Sequence, residues 1–257
     1  MISQKMLSKL RRCVEDYDML RKGDVVAVGL SGGKDSLVML AALHKLSSFY
    51  PEHFTVKAIS IGLERDMSAY DRMDAYCREL GVEYIRVPSD IREIVFDRRR
   101  EPNPCSLCAN MRRGALNRAA VAAGCNKVAL GHHADDAVET FLMSLFYEGR
   151  ISCFEPVTYL SRADVTVIRP MLYATERDMR AEARRVPAEV VKSPCPANGL
   201  TKRQDTKELI ITLSAQYASL REKIFGAMQR LPLSGWEKTP RSARIRQEKA
   251  SAESPAE

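Results

Sequence analysis

The twelve residues Val-Val-Ala-Val-Gly-Leu-Ser-Gly-Gly-Lys-Asp-Ser at 25–36 constrain this chain more than any other stretch. A short apolar run stops at a pair of glycines. Lys34, Asp35 and Ser36 then lead into Leu37, Leu40, Ala41, Leu43 and Leu46 at helical spacing, so the pattern predicts a buried strand, a tight turn and a helix. Such a turn cradles anions. Gly32 and Gly33 let the backbone approach a ligand closely, the first amides of the helix lack partners, and Lys34 and the helix dipole both favour negative charge there.

Further along, strand patterns at 54–63, 82–87, 127–130 and 166–171 alternate with helical patterns at 68–80, 109–123 and about 175–185. This alternation predicts an α/β fold, a doubly wound, mainly parallel sheet of five strands. Leu7, Leu10, Val14, Tyr17 and Leu20 add an amphipathic helix within 1–23, with Arg11, Arg12, Arg21 and Lys22 on its polar side. A last amphipathic helix over 201–230 carries Leu209, Ile210, Leu213, Tyr217, Leu220, Ile224 and Met228, and Lys202 and Arg203 at its start suit phosphate. The expected organisation is a helix at 1–23, a central domain at 24–200, a helical segment at 201–235 and a disordered tail at 236–257, where apolar periodicity is lost. In a doubly wound sheet, ligands sit outside the carboxyl ends of the strands. Leu30, Ser60, Ile61 and Gly62 are therefore expected in one crevice, with Ser60 and Ile61 against an adenosine.

Gly131-His132-His133-Ala134-Asp135-Asp136 follows the fourth strand and should face the same crevice. One of its two aspartates would cap the next helix, leaving the other for magnesium or substrate. Pro102 and Pro104 end regular structure after Asp97-Arg98-Arg99-Arg100, a basic run that suits either RNA phosphates or a solvated surface.

With 257 residues and 45% hydrophobic content, the chain can bury a substantial core. Its net charge of +7 permits a nucleic-acid partner and equally suits an anionic nucleotide. No run approaches the roughly 18 apolar residues of a membrane span, and the first residues lack the pattern of a signal peptide. A cytoplasmic location is expected. Seven cysteines, an odd number, then argue for thiol, metal or cluster chemistry rather than a disulfide framework.

Cys105 and Cys108 form a Cys-x-x-Cys at a loop-to-helix junction, where the helix dipole favours thiolates. A redox pair, half a zinc site and two ligands of an iron–sulfur cluster all fit this spacing. Cys195 stands between Pro194 and Pro196, which fix its direction as a ligand position would need. Cys13, Cys77, Cys125 and Cys153 lie in patterns that predict packing.

The loop at 29–36 fails the P-loop pattern, because only three positions separate Gly29 from Gly33 and Asp35 stands where a magnesium-binding hydroxyl belongs. Ser31-Gly32-Gly33-Lys34-Asp35-Ser36 resembles instead the signature of the PP-loop ATP pyrophosphatases, a Rossmann variant of the adenine-nucleotide α-hydrolase type. Together with Pro104-Cys-Ser-Leu-Cys-Ala-Asn-Met-Arg-Arg-Gly114, Gly131-His-His-Ala-Asp-Asp136, Ile168-Arg-Pro170 and the late Cys195, it resembles the tRNA 2-thiocytidine synthetases, a branch of that superfamily. The resemblance spans about residues 1–230.

It implies a tRNA thiolase that uses ATP and magnesium and carries a [4Fe-4S] cluster on Cys105, Cys108 and Cys195. It places Ser31, Gly32, Gly33, Lys34, Asp35 and Ser36 on the phosphates and Gly29, Leu30, Ser60, Ile61 and Gly131 near the nucleotide. Asp35, Arg112 and Asp136 become the candidate catalytic groups. The implied partners are tRNA, a sulfur donor (a cysteine desulfurase or free sulfide) and a second copy of the chain in a homodimer. A PP-loop enzyme acting on another base, or using a cysteine persulfide without a cluster, is the alternative, followed by a non-enzymatic iron–sulfur RNA-binding module.

Overall fold

The computed structural model describes residues 2–100, 104–188, 191, 202–230, 234–238 and 244. The elements run α1 (Gln4–Asp16), β1 (Val25–Gly29), α2 (Lys34–Ser47), β2 (Thr55–Ile61), α3 (Asp71–Leu80), β3 (Glu83–Val87), α4 (Pro104–Ala122), β4 (Lys127–Ala129), α5 (Ala134–Glu148), β5 (Val157–Leu160), β6 (Val165–Ile168), α6 (Glu176–Ala183), α7 (Lys202–Gln216) and α8 (Leu220–Arg230). The strands form one sheet in the order β3-β2-β1-β4-β6-β5, parallel except for β5. Val28 lies between Ala58 and Ala129, and Ala129 in turn beside Ile168.

Strand pleat sorts the core into two layers. Val26, Val28, Ala58, Ala129 and Ile168 point to one face and pack with α1, α2 and α6 around Leu37, Leu40, Leu43 and Met179. Ala27, Ile59, Ile61, Val128 and Val167 point to the other and pack with α4 through Leu116 and Ala120. The chain builds outward from β1 to β3 and then crosses back to β4. Strand order thus reverses between β1 and β4, which opens a crevice at their carboxyl ends.

Four expectations need correction. The sheet has six strands, because 157–160 forms an antiparallel edge hairpin with β6 through a turn at Asp164, whose φ is 49°. Four residues at an edge, with Tyr159 exposed, carry too weak an alternation to stand out. The C-terminal helix is two helices broken at Ser219, whose φ of 55° cannot continue an α-helix. Its predicted stripe is also displaced, since Thr206 and Ile210 are the buried residues of α7 while Leu209 and Tyr217 are exposed. A 3₁₀ turn at Ser68–Tyr70 precedes α3, and the basic run belongs to a π-helical segment at Glu93–Arg99. There Arg98 pairs with Glu93 at 2.8 Å, and Arg100 donates to the Asp97 carbonyl. Of the tail, only Trp236, Glu237, Lys238 and Arg244 lie within the described residues, and the Trp236 ring is buried in the main core.

The N-terminal helix is tied to α6 by charge. The Ser3 amide donates to Glu182 at 3.0 Å, and the Lys9 ammonium meets Asp178 at 2.5 Å. Asp178 also closes the α6 capping box with Thr175. Burial raises this carboxyl, but the Lys9 ammonium and Thr175 outweigh it and hold it at about 2, below its ordinary 3.8. Asp178→Ala is expected to cost about 1–3 kcal/mol in denaturant melts at neutral pH. Because the folded value is depressed, this contribution is complete above the ordinary carboxylate value. It is lost as pH falls through about 2, so the gap between wild type and variant should close there.

Candidate active site

The phosphate loop joins β1 to α2. Leu30 stays in register by donating to the Ile59 carbonyl at 2.8 Å, and Ser36 Oγ folds the turn by donating to the Gly33 carbonyl at 2.8 Å. The Ser31 amide donates to Ser36 Oγ, and the Gly33 amide to Ser31 Oγ. Gly32 is left-handed, with φ of +80°, and a Cβ there would lie 2.8 Å from Val191 Cβ. Gly33 is the N-cap of α2 and supplies no side-chain acceptor, so the opening amides of the helix remain available to a ligand. Gly131 closes against this turn, and its Cβ would stand 3.3 Å from the Asp35 carbonyl carbon.

Three strand ends converge on Lys34. Its ammonium lies 2.8 Å from Asp35 and 3.1 Å from Glu176. His133, the N-cap of α5, points Nε2 at Glu176 Oε2 at 3.0 Å. Burial would lower this imidazole, but Glu176, Asp136, Asp35 and Asp135 raise it. His133 and Arg180 in turn hold Glu176 far below the carboxylate range. Ligand atoms of Asp35, His133 and Glu176 lie within 4.8 Å of one another, and two hard carboxylate oxygens there fit a divalent cation such as magnesium. Asp136 is the aspartate that caps α5, accepting from the His133 amide at 3.0 Å, while Asp135 accepts from the Glu176 amide at 2.7 Å.

A cavity of about 670 Å³ opens over the β1–β4 crevice. Of the expected site residues, Gly29, Leu30, Ser31, Asp35, Ser36, Ile61, Gly131, Arg112 and Asp136 line it. Gly32, Gly33 and Lys34 form the turn behind that lining. Ser60 does not reach it: the residue is 0% exposed, with its hydroxyl donating to the Leu30 carbonyl at 2.5 Å and accepting from Tyr84. Its side chain fixes the strand tip and cannot touch an adenosine.

Cys105 and Cys108 lie in the first turn of α4, partly buried and outside any disulfide. Spacings of three and four put them on one helix face with Arg112 and Leu116, which line the cavity. Two soft thiols at a helix N-terminus fit a zinc or iron–sulfur ligand pair. Cys195, the third expected ligand, lies outside the described residues. The other cysteines are packed as expected: Cys13 and Cys77 are buried, and burial raises the Cys153 thiol to about 12.

Several lining residues were not singled out beforehand. Phe154 belongs to no motif, and Arg113, Arg169 and His132 sit unassigned inside motifs. The His132 ring stacks on Phe154 at 4.7 Å, while burial, with Arg169 adding to it, pushes the imidazole down to about 4. Arg169 lies over the Phe154 ring at 4.9 Å, and burial lowers it to about 10. Arg203, expected on phosphate, lines the cavity and reaches Asp136 and Glu139 at 3.6 Å, whereas Lys202 sits on the Tyr147 ring instead.

The model of the PP-loop domain matches residues 2–196. A tRNA-cytidine(32) 2-sulfurtransferase of Ralstonia nicotianae is 34% identical over 230 residues, 89% of this chain and 74% of that protein. One from Geobacter sulfurreducens is 33% identical over 228 residues, 88% and 89% of the two chains. Among solved structures, the U34-tRNA thiolase of Methanococcus maripaludis with its [4Fe-4S] cluster superposes with a TM-score of 0.70 at 27% identity, covering 89% of this chain and 78% of that one. A PP-loop signature on the expected strand–turn–helix, and relatives of this identity along most of their length, place the chain in the PP-loop superfamily as a member of the tRNA-cytidine(32) 2-sulfurtransferase family.

Proposed function

We propose that the protein is an ATP-dependent tRNA thiolase that replaces the C2 oxygen of an anticodon-loop cytidine with sulfur. The observation that supports this reading is one cavity lined both by the phosphate loop and by Arg112 and Leu116 of α4, the helix face on which spacing also puts Cys105 and Cys108. A carbonyl oxygen is a poor leaving group until it becomes a phosphate ester. The C2 oxygen therefore attacks the α-phosphorus of ATP, and the bond to pyrophosphate breaks. Sulfur at the oxidation level of sulfide then attacks C2, the C2–O bond breaks and AMP carries the oxygen away.

The chain's own groups divide this work. The turn at 31–36 and the first amides of α2 hold the phosphates, with Lys34 beside them as a movable positive charge. Asp35 and Glu176 would hold magnesium, which neutralises phosphate charge. Gly29, Leu30 and Ile61 would face the adenosine, and Arg112, which lines the cavity from α4, would stabilise charge on the reacting groups. Asp136, fixed by the His133 amide, orients the mouth of the site through Arg203. Cys105, Cys108 and Cys195 would hold a [4Fe-4S] cluster, whose fourth iron supplies a position for the sulfur. That sulfur comes from a cysteine desulfurase or from free sulfide.

Mass analysis of tRNA nucleosides tests substrate and reaction together. Deleting the gene should remove 2-thiocytidine, and restoring it should return that nucleoside. Unchanged 2-thiocytidine would sink the proposal. For the cluster, anaerobic reconstitution should give iron–sulfur absorption that Cys195→Ser abolishes; absorption unaffected by that change would exclude the three-cysteine ligand set.

A further inference from the structure

The cavity has two unlike halves on either side of the phosphate loop. On the side of β1 and β2 it is walled by Gly29, Leu30, Ile59 and Ile61 with Leu116 of α4, an apolar surface suited to the purine of ATP. At the tips of β4 and β6 it is walled by His132, Thr140, Phe154, Arg169 and Arg203. This second half contains unmet hydrogen-bonding groups. Among the described residues, Arg169 Nε and His132 Nδ1 are both buried without a hydrogen-bond partner.

Arg169 carries the stronger argument. It is 8% exposed, and among the described residues no carboxylate lies within ion-pair distance of it. Its Nη1 donates to the Glu155 carbonyl and to Thr158 Oγ1, so the guanidinium is aimed by the edge hairpin while Nε remains unmet. Among the described residues this guanidinium has no counter-charge, so the edge of it that lines the cavity is the part left for a ligand's acceptor. Phe154 lies under the guanidinium and stacks with His132, so the charge is held against an aromatic pair at the cavity wall.

We propose that this half of the cavity is the subsite for the acceptor base, and that Arg169 donates to N3 of the cytosine ring and so selects cytosine over uracil. The assignment rests on the thiolase reading above. Arginine has donors and no acceptor. Cytosine N3 is an acceptor, whereas uracil carries a proton there, so uracil would set donor against donor in a buried site. A site built to pair with one polar group rejects the analogue that lacks it, because its own group is left unpaired.

Anticodon stem–loops that differ only at the target nucleotide isolate this contact, since their phosphate contacts are the same. Their affinities would be compared by fluorescence anisotropy in the presence of a non-hydrolysable ATP analogue. The cytidine loop should bind about tenfold or more tighter than both the uridine loop and a 3-deazacytidine loop, which has carbon in place of N3. Arg169→Gln, whose amide can donate or accept, should erase that gap while leaving ATP affinity unchanged, and Arg169→Lys should keep it. Equal binding of the cytidine and 3-deazacytidine loops by the wild type would overturn the assignment without using any variant. So would an Arg169→Gln protein that retains ATP affinity and the full gap. Failure of the wild type to bind any loop or to release pyrophosphate would instead overturn the thiolase reading itself.

Discussion

Cys108→Ala protein is expected to release pyrophosphate with ATP, magnesium and tRNA while producing no 2-thiocytidine. The two half-reactions draw on different parts of the cavity. The phosphates meet the β1–α2 turn, whereas Cys105 and Cys108 stand toward the start of α4, about two turns and one turn before Arg112. Removing a sulfur-delivering ligand leaves adenylation intact. The drop in thiolated nucleoside should be on the order of 10³-fold or more, the scale of losing a nucleophile's support. Cys105→Ala should behave alike, and Cys77→Ala should not, because Cys77 is buried in the main core. Loss of pyrophosphate release together with thiolation would show that the cysteines serve the fold or the first step instead.

Gly32→Ala should strike the other half. At φ of +80° an alanine carries a left-handed penalty of about 1–2 kcal/mol. Its Cβ would also lie 2.8 Å from Val191 Cβ, in a segment whose amide bonds the Gly32 carbonyl at 2.9 Å. Both strains are relieved by shifting the turn, and a displacement near an ångström at reacting groups costs about 10²-fold. ATP-dependent pyrophosphate release is expected to fall by that order. Gly33→Ala provides the control, since its φ is −75° and, among the described residues, its Cβ would meet only Ser31 Oγ, at 3.4 Å. Equal losses in the two variants would contradict the account.

Much of the fold was legible because burial direction is written locally. Val26 and Val28 alternate with Ala27, and two glycines interrupt them before a helical stripe, so strand, turn and helix follow from side-chain period alone. The edge strand β5 was not legible, since a four-residue edge strand with an exposed Tyr159 buries too little to leave a pattern. The break at Ser219 was missed for a related reason: apolar residues on both sides kept the period that the backbone abandons.

The site divides in the same way. By itself the sequence determined the anion cradle at 31–36, the thiol pair at Cys105 and Cys108, and the family to which both belong, because each depends on neighbours along the chain. Tertiary structure alone decided that Asp35, His133 and Glu176 converge, that Ser60 is sealed beneath the cavity, and that Arg169 is buried beside Phe154 with no counter-charge among the described residues. Asp35, His133 and Glu176 follow the ends of three different strands, and which ends share a crevice is set by the crossover from β3 back to β4. Residue spacing encodes what a side chain faces within its own element, whereas the partner across the crevice depends on the order in which the strands assemble.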